Sequence, residues 1–371
     1  MGIEFLNFLS KPKKTHNNQH LPKAEPEKVP EYEEGLNEEE NKVIRLVSNK
    51  KIKKPYKVTG IEDVASKNNW KAWLYLGPVV VLISIFLLYP LINTIFISFA
   101  KDYQYATGRF SGFTLENFGV IFGWVKTGQG GLETYFTTYA IPNTLIITFV
   151  TVPVSILLAL IISVALNSIK WFQKFLQTVF FLPYVTNSIA IGMVFSVLFD
   201  DSGLINFIFG LQHAGANGGP MQWIYNTPTA IAMVPLCLFI VWNSIPFKIL
   251  ILLSGLQGID KQYYQAAQID AAPKWKVFGR ITVPLLSPQI LYLMITSFIG
   301  AFKEYNSIVS IFGKRGETMA GQKNMYTIVF YVYDNISANT SFAAAAAVFL
   351  FVIILIFTFI QFWASSKRVH Y

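Results

Sequence analysis

Tyr139-Ala-Ile-Pro-Asn-Thr-Leu-Ile-Ile-Thr-Phe-Val-Thr-Val-Pro-Val-Ser-Ile-Leu-Leu-Ala-Leu-Ile-Ile-Ser-Val-Ala-Leu166 runs for 28 residues without a charged side chain. About 20 apolar residues in a helix cross the roughly 30 Å hydrocarbon core of a bilayer, so this stretch predicts a transmembrane helix. Five others of comparable length recur, at 72–99, 172–199, 228–254, 284–311 and 342–365. Pro90, Pro153, Pro183, Pro235, Pro246 and Gly192 fall inside these runs; neighbouring helices can satisfy the backbone groups that such residues free. The whole composition agrees: 53% hydrophobic and 14% charged residues, against about 25% charged in soluble domains, and a mean hydropathy of +0.43. The fold class expected is an all-α polytopic membrane protein with six transmembrane helices. An ordinary cytosolic enzyme is excluded. So is a disulfide scaffold, because Cys237 stands alone, and His16, His20, His213 and His370 are too scattered for a metal site.

Residues 1–70 differ in kind. They are rich in Pro, Lys and Glu, with an acidic run Glu38-Glu39-Glu40 and a basic run between Lys50 and Lys57. Such a segment cannot bury a core and reads as a largely disordered tail, with no apolar run that would make it a signal peptide. The membrane domain is expected over 71–371. The net charge of +9 forms no basic stripe of the kind nucleic acid requires. Lys50, Lys51, Lys53, Lys54, Lys57, Lys67 and Lys71 precede the first span, and basic residues stay on the cytoplasmic side. Both termini are therefore expected in the cytosol.

The connection at 256–288, between the expected fourth and fifth spans, is the most informative. Asp260 is a suitable N-cap for a short helix reaching Ile269, and Asp270 and Pro273 mark a stop and a new start. Two short helices joined by a small-residue turn result. Ala266, Ala267, Ala271 and Ala272 leave room for another surface, and Tyr263, Tyr264, Trp275 and Phe278 offer large apolar contacts.

The pattern Gln265-Ala-Ala-x-x-Asp270-Ala-Ala272, followed by Phe278-x-x-Ile281-x-x-Pro284-x-x-x-Pro288, resembles the EAA loop of binding-protein-dependent ABC importer permeases. Gln265 stands where that family usually has Glu, and Ala271 where it has Gly. The resemblance implies that Gln265, Ala266, Ala267, Asp270, Ala271, Ala272, Phe278, Ile281 and Pro284 couple the membrane helices to a separate ATPase. At Gln265 the charge-assisted bond of a carboxylate would be lost. Leu253-Ser-Gly-Leu-Gln257 nearly spells an ABC ATPase signature, but no Gly-x-x-x-x-Gly-Lys-Ser/Thr loop occurs. The resemblance thus implies a chain that is no enzyme and holds no cofactor. ATP and Mg would belong to a partner ATPase dimer in the cytosol.

Phe180-Phe-Leu-Pro183-Tyr, Gly203-Leu-Ile-Asn206, Trp242-Asn-Ser-Ile-Pro246 and Thr327-Ile-Val-Phe-Tyr-Val-Tyr333 are similar to segments of sugar permeases of the maltose-permease first-subunit type. Gly313-Lys-Arg-Gly-Glu317 stands where these relatives often carry Gly-Gly-Pro. The likeness covers about residues 70–368. It implies a bacterial cell-membrane permease subunit importing a di- or oligosaccharide, with a second homologous permease and an extracellular solute-binding protein as partners. Carried over by spacing, the substrate contacts fall on Asn243, Ser244, Phe247, Ser297, Gly300, Ala301 and Glu304. Lys303 and Glu304 have two readings: charges at the outer interface, with Lys303 snorkelling, or Glu304 facing the translocation path. The rival class is a self-sufficient secondary transporter or channel, which calls for paired intramembrane acids or internal repeats; neither is found.

Overall fold

The computed structural model describes residues 69–126, 134–169, 184–215, 218–319 and 322–365, with residues 175, 178, 179 and 182 between. The expected tail up to residue 68, and Phe180, Phe181 and Pro183 of the sugar-permease motif, lie outside the described residues. The chain divides after Leu76 into two compact units. Among the described residues the first unit contributes only the opening of one helix, and the second holds every other element.

Among the described residues four helices are long and apolar enough to cross a membrane: α1 (Trp73–Phe99), α3 (Phe136–Ser168), α6 (Thr229–Gln257) and α12 (Thr340–Ser365). They fall on the expected spans at 72–99, 139–166, 228–254 and 342–365. Between α1 and α3 come a two-stranded hairpin, β1 (Ala100–Lys101) with β2 (Gly112–Phe113), and the short α2 (Glu116–Ile121). Asn117 on α2 donates to the carbonyls of Ser98 and Ala100, both at 2.9 Å, and pins the hairpin to the end of α1.

The remaining two expected spans are not single helices. In the 172–199 stretch, helix is interrupted at Thr186–Asn187 and resumes as α4 (Ser188–Leu198), with the short α5 (Leu204–Ile208) after it. Asn187 is extended, and its side chain accepts the Ile189 N–H at 2.9 Å, an N-cap that starts a helix where hydropathy alone predicts continuation. The 284–311 stretch is broken twice. α8 (Lys274–Leu285) and α9 (Ser287–Phe302) meet at 67°, a bend expected where Pro288 removes a backbone donor. α9 then stops, and α10 (Asn306–Phe312) begins afresh. Lys303 and Glu304 bond back to Gly300 and Ala301, three residues earlier, which tightens the last turn. The Glu304 carboxylate accepts the Ser307 N–H at 3.0 Å, and Thr327 donates to the Glu304 carbonyl at 2.8 Å. Lys303 and Glu304 therefore sit in a break between helices rather than inside a span.

α6 packs along α3, α9 against α3, and α12 against both α1 and α11 (Ile328–Asn335). The α3 face that does this carries Thr144, Thr148, Thr151, Ser155, Ala159 and Ser163, all buried. Small and hydroxyl side chains at three- and four-residue spacing let helix backbones approach closely without a hydrophobic driving force. Ser163 reaches across, its hydroxyl lying 3.3 Å from the Ile249 carbonyl of α6. By contrast most side chains of α1 and the second half of α12 are exposed and apolar, a surface suited to lipid or to a partner membrane helix. At the hairpin end, Asn143 holds the loop before α11 by donating to the Asn324 and Tyr326 carbonyls. On α11, partial burial pushes the Asp334 carboxyl up, but hydrogen bonds from Lys323 and Tyr326 outweigh it and keep the group below its usual range. The stability so gained is present above the ordinary Asp range and is lost as pH falls through the lowered value.

Gly192 lets α4 rest on α10 and α6: a Cβ there would collide with Ser310 and come within 3.3 Å of Phe239. Gly192→Val is expected to cost roughly 1–3 kcal/mol by overpacking. Thermal unfolding of the purified assembly checks this, and an unchanged midpoint would place α4 elsewhere.

Candidate functional site

A cavity of about 540 Å³ opens between α4, α6 and α9. Asn243, Ser244, Phe247, Ser297, Gly300, Ala301 and Glu304, which come from two segments 50 residues apart in sequence, all line it. On α6 the positions 243, 244 and 247 follow helical spacing and share a face. On α9 the same holds for 297, 300 and 301, and Glu304 follows in the break. The volume falls within the range of about 300–1,000 Å³ usual for small-molecule sites.

The chemistry of the walls is mixed. Phe247 stacks on Tyr184, with ring centroids 5.7 Å apart and planes at 18°, so one side is aromatic. Asn243 donates to the Ser188 hydroxyl at 3.3 Å and keeps its carbonyl oxygen as a further acceptor. A Cβ on Gly300 would meet nothing within 4 Å, so the missing side chain leaves open space. Glu304 has one carboxylate oxygen engaged by Ser307 N–H. Hydroxyl groups, which both donate and accept, suit such a lining.

Several wall residues escaped the spacing argument. Tyr184, Thr186 and Ser188 come from the interrupted third expected span, before, in and after its break, and Thr151 from α3. Lys248 is the most consequential. It is 4% exposed, and its ammonium donates to Ser155 at 2.6 Å and to Ser244 at 2.9 Å. A cation inside the apolar run 228–254 was a legible sign, because intramembrane charge is costly and kept for a purpose. Its partner Ser155 lies 93 residues away, and no local pattern announces that. Among the described residues no group of three or more His, Cys, Asp or Glu is placed to hold a metal.

The 256–288 connection forms a helical elbow. α7 (Lys261–Ile269) starts at Asp260, whose carboxylate accepts the Gln262 N–H at 2.9 Å. α8 begins after Pro273, and Tyr264 is tied to Thr282 at 3.3 Å. Ala271 sits at φ +49°, a left-handed conformation that costs an L-residue roughly 1–2 kcal/mol. That is a physical reason for glycine at this point of the EAA pattern. Gln265, Ala266, Asp270, Ala271 and Pro284 are exposed, while Ala272, Phe278 and Ile281 are half-buried. Ala267 is 7% exposed and faces the chain itself, so it does not belong to the outward surface expected of it. Ile269 and Trp275 project from the elbow at 86% and 76% exposure.

A membrane-embedded helical bundle with a polar cavity along its helices and an exposed apolar elbow has the architecture of a transport subunit. Residues 151–370, more than half of the chain, match the family described as binding-protein-dependent transport system inner membrane component. The chain belongs to that family, which is one of transport permeases and not of enzymes. It is 30% identical over 305 residues to the lactose transport system permease protein LacF of Rhizobium radiobacter, covering 80% of this chain and 94% of LacF. It is 28% identical over 316 residues to the arabinooligosaccharides transport system permease protein AraP of Bacillus subtilis, covering 84% and 93%. The fold is also that of a chain in the crystal structure of a bacterial ABC transporter importing the acidic polysaccharide alginate. There the TM-score is 0.64 at 21% identity, over 81% of this chain and 97% of that one.

Proposed function

We propose that this protein is the permease subunit of an ABC importer for a di- or oligosaccharide and forms half of its translocation pore. An extracellular binding protein delivers the sugar. A second, similar permease completes the pore, and a cytosolic ATPase dimer, holding ATP and Mg, drives it. Residues 71–371 make up the membrane domain, with six crossings, the third and fifth interrupted; residues 1–70 are a cytosolic tail, and both termini face the cytosol. The elbow at 256–288 is the coupling element. Through Gln265, Ala266, Asp270 and Ala271 it meets the ATPase, while Ala267, Ala272, Phe278, Ile281 and Pro284 set its shape.

The gathering of all seven spacing-derived residues in one polar and aromatic cavity carries this conclusion. Phe247 offers the face on which a sugar ring stacks. Asn243, Ser244, Ser297 and Glu304 offer its hydroxyls hydrogen bonds, and Gly300 and Ala301 leave the space. The relatives named as lactose and arabinooligosaccharide permeases lend it support.

Reconstitution tests it. In proteoliposomes the chain alone is expected to accumulate no sugar, whereas with its partner permease, ATPase and binding protein it should do so in an ATP-dependent way. Transport by the chain alone would instead make it a secondary carrier or channel.

A further inference from the structure

Lys248 carries a charge that its surroundings do not answer. It lies nine residues before Gln257, the nearer end of α6, or roughly 13 Å at 1.5 Å per residue. The side chain cannot reach a headgroup from there. Two of its three N–H donors go to Ser155 and Ser244. Both hydroxyls give their own protons to backbone carbonyls, Ser155 to Val152 at 3.0 Å and Ser244 to Val241 at 2.9 Å. They are therefore fixed as acceptors, and neither bears charge. The ion pairs among the described residues, Lys101–Glu116 and Lys323–Asp334, leave Lys248 out.

Glu304 lines the same cavity but stands at another height. A Cβ on Gly255 of α6 would collide with Leu286 and Gln289, at 2.8 and 2.9 Å, so the two antiparallel helices approach closely there and this point sets their register. Seven residues on from that contact, Lys248 comes level with Thr296. Glu304 is about two turns, or roughly 12 Å, further toward the hairpin end. Its carboxylate is partly engaged by Ser307 N–H. The cavity thus has a cationic inner end and an acceptor-rich outer end.

A buried cation held only by neutral groups remains a strong site for an anionic partner, and a bond between two charged groups is shorter and stronger than one to a hydroxyl. We infer that the transported carbohydrate carries an anionic oxygen group, a carboxylate or a phosphate ester, which lodges against Lys248 Nζ while its hydroxyls meet Asn243, Ser297 and Glu304. This rests on the carbohydrate reading above and narrows it to acidic sugars. It also gives the ligand a direction, anion inward, because Glu304 would repel that group at the outer end.

The test uses the assembled transporter in lipid nanodiscs, without binding protein, titrated with trigalacturonate, maltotriose 1-phosphate and maltotriose. At least one anionic probe is expected to bind tenfold or more tightly than maltotriose, and which one it is assigns carboxylate or phosphate. Lys248→Met should reduce the preference to less than twofold and Lys248→Arg should keep it. Lys248→Gln, which retains a donor for the two serines, replaces the Met variant if that one fails to assemble. Maltotriose binding as tightly as the anionic probes would overturn the inference and leave the carbohydrate reading standing. A preference that survives both Lys248→Met and Lys248→Gln would overturn it too, by placing the anion elsewhere. Binding of none of the three probes would overturn both readings.

Discussion

Replacing Glu304 by alanine is expected to cut ATP-driven uptake by the reconstituted importer by about 10- to 100-fold. Hydrogen bonds to a charged group contribute about 1.5–3 kcal/mol, and each 1.4 kcal/mol is about a factor of ten. The carboxylate lines the same cavity as Asn243 and Phe247, and in the proposed function it accepts the sugar's hydroxyl donors. It also accepts the Ser307 N–H at the start of α10 from the position before the N-cap Tyr305, so the alanine variant loses a bond to the first turn of that helix as well, worth about 0.5–1.5 kcal/mol. Glu304→Gln separates the two roles. An amide oxygen keeps the bond to Ser307 and the shape, so assembly should match the wild type, but the charge-assisted bond to substrate is gone and uptake should still fall severalfold. Co-purification of the partner permease measures the first quantity and uptake the second. Normal uptake by Glu304→Gln would leave Glu304 with a role at the start of α10 only and confine the site to the α6 side of the cavity.

Placing a tryptophan at Ala266 should abolish coupled transport. Ala266 is exposed on α7 beside Gln265 and Asp270, on the surface assigned to the ATPase. A close-packed contact accommodates added bulk only at a cost of about 1–3 kcal/mol, and an indole in place of a methyl lies at the upper end. The variant is expected to insert in the membrane normally, to lose most of the ATPase on purification, and to show no ATP-driven uptake. Ala267→Trp provides the contrast. That side chain points into the chain, so the same bulk should disturb the elbow itself and lower the yield of folded protein. Equal behaviour of the two variants would mean that α7 does not present the face described, and full ATPase binding by Ala266→Trp would move the docking surface elsewhere.

The four unbroken crossings, the N-cap at Asp260 and the helix–turn–helix after it were legible in the sequence because each is a local matter. A helix in hydrocarbon satisfies its own backbone, so a long apolar run suffices to specify it; a capping carboxylate bonds to an amide two residues away. Helical periodicity likewise put Asn243, Ser244 and Phe247 on one face of α6, and Ser297, Gly300 and Ala301 on one face of α9. The interruptions at Thr186–Asn187 and Lys303–Tyr305 were not legible. Hydropathy averages over a window, whereas the second of these breaks is held by Thr327, 23 residues on. Nor could residue type alone show that Ala267 turns inward while Ala266 turns out. Lys248 was visible as a charge in an apolar run, but what makes it distinctive is that among the described residues no ion pair includes it and that Ser155 reaches it from another helix. Only the packing of α3 against α6 decides that, because two residues 93 positions apart are brought together by the whole bundle and by nothing in the chain between them.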